Sequence, residues 1–217
     1  MTFAGSRDML MVGDDFEPKK FQATSLKRHP HKEQGTMTAH PENREMLASL
    51  ALALVDQPRA SLQELARAIG VSKATLYRFC PTRDRLIERL MAYGVQVISE
   101  AIAIAELDRD SPIEALKRLI ENSLKHRELI LFMSNYWEKT TAPDLCSAAD
   151  WDTALDGFFL RGQQQGVFRI DIAAPALTEI WSSLVIGLLE AERRGRVARI
   201  GLTALMETAF LNGALAR

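Results

Sequence analysis

The feature that most constrains the fold is a pair of short helical segments joined by a glycine turn, within residues 61–79. Ser61 followed by Glu64 has the form of a capping box, and apolar residues then recur at helical spacing until Gly70. Ser72 offers an N-cap for a second helix of about seven residues. Two short helices in this order, joined by a glycine that tolerates a left-handed backbone, predict a helix-turn-helix.

The second of these helices divides its side chains between the core and the outside. Leu76 is expected to face inward, which leaves Lys73, Tyr77 and Arg78 outward. A phenol and two cations on one short helix are unusual for a merely solvated surface, and they suit a helix in the major groove of duplex DNA. There the cations can donate to guanine, and Thr75 and Tyr77 can hydrogen-bond to phosphate.

The overall charge hides a segregation along the chain. The net charge of −1 argues against a polyanionic partner, but residues 59–89 carry seven basic side chains against three acidic ones. Residues 98–180 carry eight basic against fourteen acidic side chains. This asymmetry is expected when only one part of a chain meets nucleic acid.

The rest of the chain has helical periodicity wherever a pattern is strong, so we predict an all-α fold. A helix capped by Thr82 and running to about Ala105 is long enough to connect two parts of the protein. The predicted domains are a flexible basic N-terminal extension at 1–40, a helix-turn-helix DNA-binding domain at 41–88 with its second and third helices at 61–79, and a helical ligand-binding and dimerisation domain at 89–217.

The N-terminal extension allows three interpretations. It contains a basic stretch from Lys19 to Lys32 without one acidic residue. This stretch suits an arm that lies along DNA, and it suits a solvated tail equally well. A natural translation start at Met37 is the third alternative.

The sequence lacks the patterns of catalytic and metal sites. Three of the four histidines lie in the extension, and His126 has no Cys or carboxylate in a metal-ligand pattern. We find no phosphate-cradling glycine loop and no nucleophile elbow, so we predict no enzyme activity, no cofactor and no metal ion. Cys80 and Cys146 are expected to be inert thiols.

No apolar run reaches the ~18 residues of a spanning helix, and the start of the chain has no apolar signal-peptide core. We therefore predict a cytoplasmic protein with no membrane partner. A ligand-binding or protein-interaction module that does not regulate DNA remains an alternative, against which the basic outer face of the second short helix argues.

The stretch Ser61–Leu86, SLQELARAIGVSKATLYRFCPTRDRL, resembles the DNA-binding domain of the TetR/AcrR family of bacterial regulators. Its central string GVSKATLY, at residues 70–77, is close to the hallmark of that family. The resemblance covers roughly residues 42–100. Gln165–Asp171 is also similar to the break that the family has before its last two helices.

This resemblance implies a tetracycline-repressor-like, nine-helix, omega-shaped homodimer. The last two helices of each subunit, near 175–194 and 200–215, would form a four-helix bundle across the dimer. The implied function is that of a one-component transcriptional regulator, a repressor released from a palindromic operator on double-stranded DNA by a small hydrophobic or aromatic inducer. Activation instead of repression remains open, because it depends on where the operator lies.

The resemblance also implies two sets of site residues. Arg83 stands where the family usually has a lysine at the start of its fourth helix, a position suited to phosphate. The implied DNA-binding residues are Ser72, Lys73, Ala74, Thr75, Tyr77, Arg78 and Arg83. The implied liners of an aromatic-rich ligand pocket are Phe132, Met133, Trp137, Trp151, Leu155, Phe158, Phe159 and Trp181.

Overall fold

The structure is a computed structural model that describes residues 41–137 and 147–216. The N-terminal extension, with its basic stretch and Met37, lies outside the described residues, as does Cys146. Within the described ranges the chain forms nine helices and a single isolated antiparallel bridge, which confirms the all-α prediction. The helices are α1 Pro41–Asp56, α2 Leu62–Ala68, α3 Lys73–Phe79, α4 Arg83–Ile104, α5 Pro112–Lys125, α6 Arg127–Tyr136, α7 Ser147–Gln164, α8 Ala174–Arg193 and α9 Leu202–Ala214.

The predicted capping box at the start of α2 is formed. The Ser61 N–H donates to Glu64 Oε2 at 2.7 Å, and the Glu64 N–H donates to Ser61 Oγ at 3.3 Å. The first of these hydrogen bonds favours the carboxylate and lowers the pKa of Glu64 below its ordinary value. At the other end of α2, Gly70 has a φ of 75°, a left-handed conformation in which a side chain would be strained.

The first four helices share a buried core, and α6 extends that core toward the rest of the chain. Leu50 of α1, Leu65 of α2, Leu76 of α3 and Leu86 of α4 are all fully buried. Because α1 also packs along α6, the helix-turn-helix is attached to the C-terminal helices through α6 as well as through α4. A displacement of α6 would therefore also displace α1 and the helix-turn-helix.

Helix α4 connects the helix-turn-helix to the C-terminal helices without a break. Its 22 residues span ~33 Å, so the predicted domain boundary at residue 88 falls inside one continuous helix. Gly94 lets α6 approach α4 closely, because a Cβ at that position would lie 2.5 Å from Met133 Sδ. The two helices are thus packed against each other near the middle of α4.

The C-terminal helices pack around a cluster of aromatic rings. Phe159 is fully buried, and its ring centroid lies 5.5 Å from those of Phe168 and Phe210. Trp181 of α8 meets the Phe210 ring edge-on at 5.4 Å. The cluster joins α7, α8 and α9 into one core.

Cys80 caps the C-terminus of α3 and is buried. Burial raises the pKa of its thiol above the ordinary value, although the nearby Arg89 guanidinium acts in the opposite direction. A thiol with a raised pKa holds little of the reactive thiolate at neutral pH. This environment agrees with the expectation of an inert thiol at residue 80.

Candidate nucleic-acid interface and ligand cavity

The start of α3 is held by its N-cap residue. Ser72 Oγ accepts the Thr75 N–H at 3.0 Å, and the two hydroxyl oxygens lie 2.7 Å apart in a hydrogen bond. On the inner side of the helix Leu76 is fully buried. Cap and core contact together fix the rotation of α3 about its own axis, and so they decide which side chains face outward.

The outer face of α3 presents Lys73, Ala74, Tyr77 and Arg78, all of them exposed. These residues form two neighbouring i, i+4 rows, which cover one side of a short helix. Lys73 Nζ lies 5.4 Å from the centroid of the Tyr77 ring, a cation–π contact that keeps both side chains on the same face. Thr75 is half-buried beside the cap. The structure therefore brings the predicted α3 residues together on an accessible, cationic surface.

Arg83 makes hydrogen bonds within the protein. Its Nη2 donates to the Pro58 carbonyl at 2.6 Å and to Tyr136 Oη at 3.2 Å, so this nitrogen of the guanidinium is held by contacts within the protein. Tyr136 Oη in turn donates to the Leu54 carbonyl at 3.2 Å. The expected contact of Arg83 with a phosphate stays a prediction. Arg83 links the start of α4 to the α1–α2 connection and to the end of α6.

A cavity of about 160 Å³ lies between α4 and helices α5 to α8. Its walls are mainly apolar, and Trp151 and Trp181 stand among them. Trp151 Nε1 donates to Ser99 Oγ of α4 at 2.8 Å, which fixes one indole ring against that helix. The lining residues are Ile98, Ala101, Ile102, Leu119, Ser123, Ile130, Trp151, Asp152, Leu155, Trp181, Ser182, Val185 and Ile186.

Three of the eight predicted pocket residues, Trp151, Leu155 and Trp181, line this cavity. The others do not. Phe132 stacks on Tyr136 at 4.8 Å, Met133 packs against Gly94, and Phe159 belongs to the aromatic cluster. Trp137 lies beside Trp151, at 6.0 Å between ring centroids, but does not reach the cavity wall.

Phe158, the remaining predicted liner, lines a different hollow of about 340 Å³ at the C-terminal end of α4. The sequence did not predict the polar liners Ser123, Asp152 and Ser182, and helical spacing alone has no signal for them. No group of three His, Cys, Asp or Glu side chains in the described ranges is placed to hold a metal ion.

The chain is 47% identical over 182 residues to the HTH-type transcriptional regulator NfxB of Pseudomonas aeruginosa, covering 82% of this chain and 96% of that protein. It is also 36% identical over 111 residues to the HTH-type transcriptional repressor LfrR of Mycolicibacterium smegmatis, covering 50% of this chain and 57% of that one. The chain belongs to the TetR/AcrR family. No family model matches this regulator.

Solved structures agree with this assignment. The TetR-like regulator LfrR in complex with proflavine matches this regulator with a TM-score of 0.59 and 25% identity, over 80% of this chain and 96% of that one. The ketosteroid regulator KstR2 of Mycobacterium tuberculosis matches with a TM-score of 0.67 over 83% and 98%, and its 11% identity supports the fold alone. This regulator is thus a DNA-binding transcriptional regulator and not an enzyme.

The last two helices of this regulator leave apolar side chains uncovered. Ile180 of α8 is 46% exposed and Leu205 of α9 is 40% exposed. By length and composition alone α8 is apolar enough to cross a membrane, with a mean hydropathy of 1.2 over 18 residues of which 33% are buried. This length and hydropathy differ from the prediction of no spanning segment, but core helices of soluble proteins have the same length and hydropathy. The helix carries an apolar face that the single chain leaves unpacked.

Proposed function

We propose that this protein is a cytoplasmic transcriptional repressor that binds a palindromic operator as a homodimer and is released by a small hydrophobic or aromatic ligand. The observation that carries the proposal is the outward face of α3, where Lys73, Tyr77 and Arg78 are exposed and held in place by a cap and a core leucine. NfxB is named as a regulator and LfrR as a repressor, which supports the direction of the effect. Each subunit would place α3 in the major groove of one half-site, with Ser72, Ala74 and Thr75 nearest the backbone and bases.

DNA selection with the purified full-length chain tests this proposal. From a random duplex pool, the expected enriched sites are inverted repeats whose half-site centres lie about 10 base pairs or a multiple apart. Footprinting should then protect both half-sites. Recovery of unrelated duplexes, with no shared motif, would argue against sequence-specific regulation.

The cavity supports ligand control because α4 forms part of its wall. Ile98 and Ile102 line the cavity, and the same helix begins at Arg83, beside the helix-turn-helix. A ligand that binds between these walls and makes better contacts when α4 is displaced would favour the displaced state. Displacing α4 would move the two α3 helices of a dimer out of register with successive grooves.

The two tryptophans of the cavity wall offer a direct test of ligand binding. Proflavine, which the LfrR structure contains, is an aromatic probe of suitable class. We expect it to quench the fluorescence of Trp151 and Trp181 saturably and to release the selected operator over the same concentration range. The Trp151→Leu variant should weaken both effects in parallel. Quenching that persists unchanged in this variant would place the probe elsewhere.

Tyr136→Phe is expected to weaken the link between the cavity region and the helix-turn-helix. The variant removes the hydroxyl that joins Arg83 to the Leu54 carbonyl. Loss of these hydrogen bonds should lower the free energy of unfolding by about 1–3 kcal/mol, measured by urea denaturation. The probe concentration that releases half of the operator should also shift. A stability change without any shift would make Tyr136 a purely structural residue.

A further inference from the structure

The end of α8 and the connection that follows it contain four arginines in seven residues. Arg193, Arg194, Arg196 and Arg199 lie in the string RRGRVAR, which has no acidic residue. We call residues 193–199 the arginine turn. Cations near the C-terminus of a helix stabilise its dipole, but that effect fades beyond the last turn. It therefore accounts for Arg193 and Arg194 and not for Arg196 or Arg199.

The arginine turn lies at the same end of the molecule as the helix-turn-helix. Arg193 Nη1 contacts Asp56 Oδ1 at 2.6 Å, and Asp56 is the last residue of α1, five residues before the Ser61 cap of α2. The opposite ends of these helices lie far away. Arg169, before α8, donates to the Gly213 carbonyl near the end of α9 at 3.0 Å.

A contact at the far end of α4 agrees with this placement of the arginine turn and the α7–α8 connection at opposite ends of the molecule. Arg161, near the end of α7, donates to the Asp110 carbonyl, beyond the last turn of α4. The α7–α8 connection is therefore near the end of α4 that is ~33 Å from the helix-turn-helix. Since α8 then returns over 20 residues, the arginine turn lies near the end of α4 at which the helix-turn-helix is attached.

The outward surface of the arginine turn is positive even though some of its arginines have carboxylate partners. The Arg199 side chain is 67% exposed and its partner Glu192 only 11%, at 2.8 Å between Nε and Oε1. Arg194 is 59% exposed and its partner Glu190 31%. Arg196 is exposed and has no ion pair or side-chain hydrogen bond within the described ranges. At Arg194 and Arg199 the guanidinium groups therefore cover the acids and meet the solvent, whereas in the Arg193–Asp56 pair the carboxylate is the more exposed partner.

We propose that the arginine turn binds the phosphodiester backbone of the operator, as a second DNA contact beside the α3 surface. The inference rests on the proposed DNA-binding function. Guanidinium groups bind phosphate oxygens in a bidentate manner, and exposed Arg59 and Arg67 carry the positive charge from the α1–α2 connection toward α3. Contacts of this kind add affinity without reading sequence.

The salt dependence of operator binding tests the inference. The variant Arg194→Gln/Arg196→Gln/Arg199→Gln is expected to reduce the slope of log affinity against log salt by about 1.8 or more, because each phosphate contact contributes about 0.9 and the dimer has two arginine turns. Operator and unrelated duplex should weaken by the same factor. The single variant Arg196→Gln removes no side-chain hydrogen bond or ion pair of the described ranges. It should reduce the slope of log affinity against log salt by about 1.8, even if the triple variant fails to fold.

Arg109→Gln is the matched control. Arg109 is 65% exposed and paired with Glu106 at 2.7 Å, but it lies beyond the far end of α4. The salt dependence of operator binding by this variant should therefore equal that of the unchanged protein. Equal slopes for all variants would overturn the inference while leaving the proposed function intact. Failure of the unchanged protein to bind any duplex would instead overturn the proposed function. Binding of the arginine turn to anionic phosphatidylserine vesicles, with an unaltered DNA slope, would also overturn the inference.

Discussion

Replacing Lys73 and Tyr77 together with alanine is expected to weaken binding to the selected operator by about 30-fold or more at fixed salt. Each good contact to a base is worth about 1–3 kcal/mol, and a palindromic operator meets the substitution twice. The smallest loss in that range, about 1 kcal/mol at each of the two half-sites, totals about 2 kcal/mol and corresponds to roughly 30-fold in affinity. A gel-shift titration on the operator and on an unrelated duplex of equal length measures the effect.

The structure indicates that this loss would be one of recognition and not of folding. Both side chains are exposed, and the Lys73 ammonium is placed over the Tyr77 ring and not in the core. The unfolding free energy should therefore change by less than about 0.5 kcal/mol. Lys117→Ala is a suitable control, because this lysine is 41% exposed on α5 and pairs with Glu114. Unchanged operator binding by the double variant would contradict the assignment of α3 as the recognition helix.

The helix-turn-helix was predictable because its determinants are local in sequence. The caps at Ser61, Ser72 and Thr82 each accept a hydrogen bond from a backbone N–H three residues later. Gly70 has the left-handed conformation that the turn needs. Since the inner position of Leu76 follows from helical spacing, the outward face of α3 follows as well. The family resemblance and the residue pattern therefore led to the same surface.

The contacts of Arg83 within the protein could not be predicted in this way. The free N–H groups at the start of a helix attract a phosphate, and an arginine placed there adds a second positive charge, so the local sequence by itself favours a phosphate contact. One partner of the guanidinium is Tyr136, which is 53 residues away in sequence. Only the packing of α6 along α1 brings the tyrosine hydroxyl within reach. A contact at such a separation leaves no signal in local periodicity.

Local sequence patterns likewise do not predict which of the apolar side chains line the cavity. Helical spacing predicts which positions face inward, but it does not separate those that fill the core from those that border a void. Phe159 and Trp181 share this inward orientation, yet Phe159 is closed in by Phe168 and Phe210 while Trp181 also borders the cavity. The difference arises from how α7 and α8 pack on α4. Three-dimensional packing decides it.

Ile180→Asp is expected to separate the proposed dimer and to lower operator affinity by about 100-fold or more. Ile180 is 46% exposed on α8, where Glu179, Ser183 and Ile186 are exposed as well, so the single chain tolerates a carboxylate there. In a two-fold interface the same residue occurs on both subunits, and two unpaired carboxylates would have to leave water together. A monomer then holds one half-site without the avidity that two linked half-sites provide, which is worth 10²-fold or more.

Light scattering after size exclusion should show the mass falling from two chains to one, and the operator titration should weaken in step. Ile104→Asp is the matched control. Ile104 is 65% exposed, but it is the last residue of α4 and belongs to neither α8 nor α9, so its variant should remain dimeric. A dimer that survives Ile180→Asp would place the interface on another surface. A monomeric variant with full operator affinity would contradict binding to two half-sites, because the second subunit would then contribute nothing to the affinity.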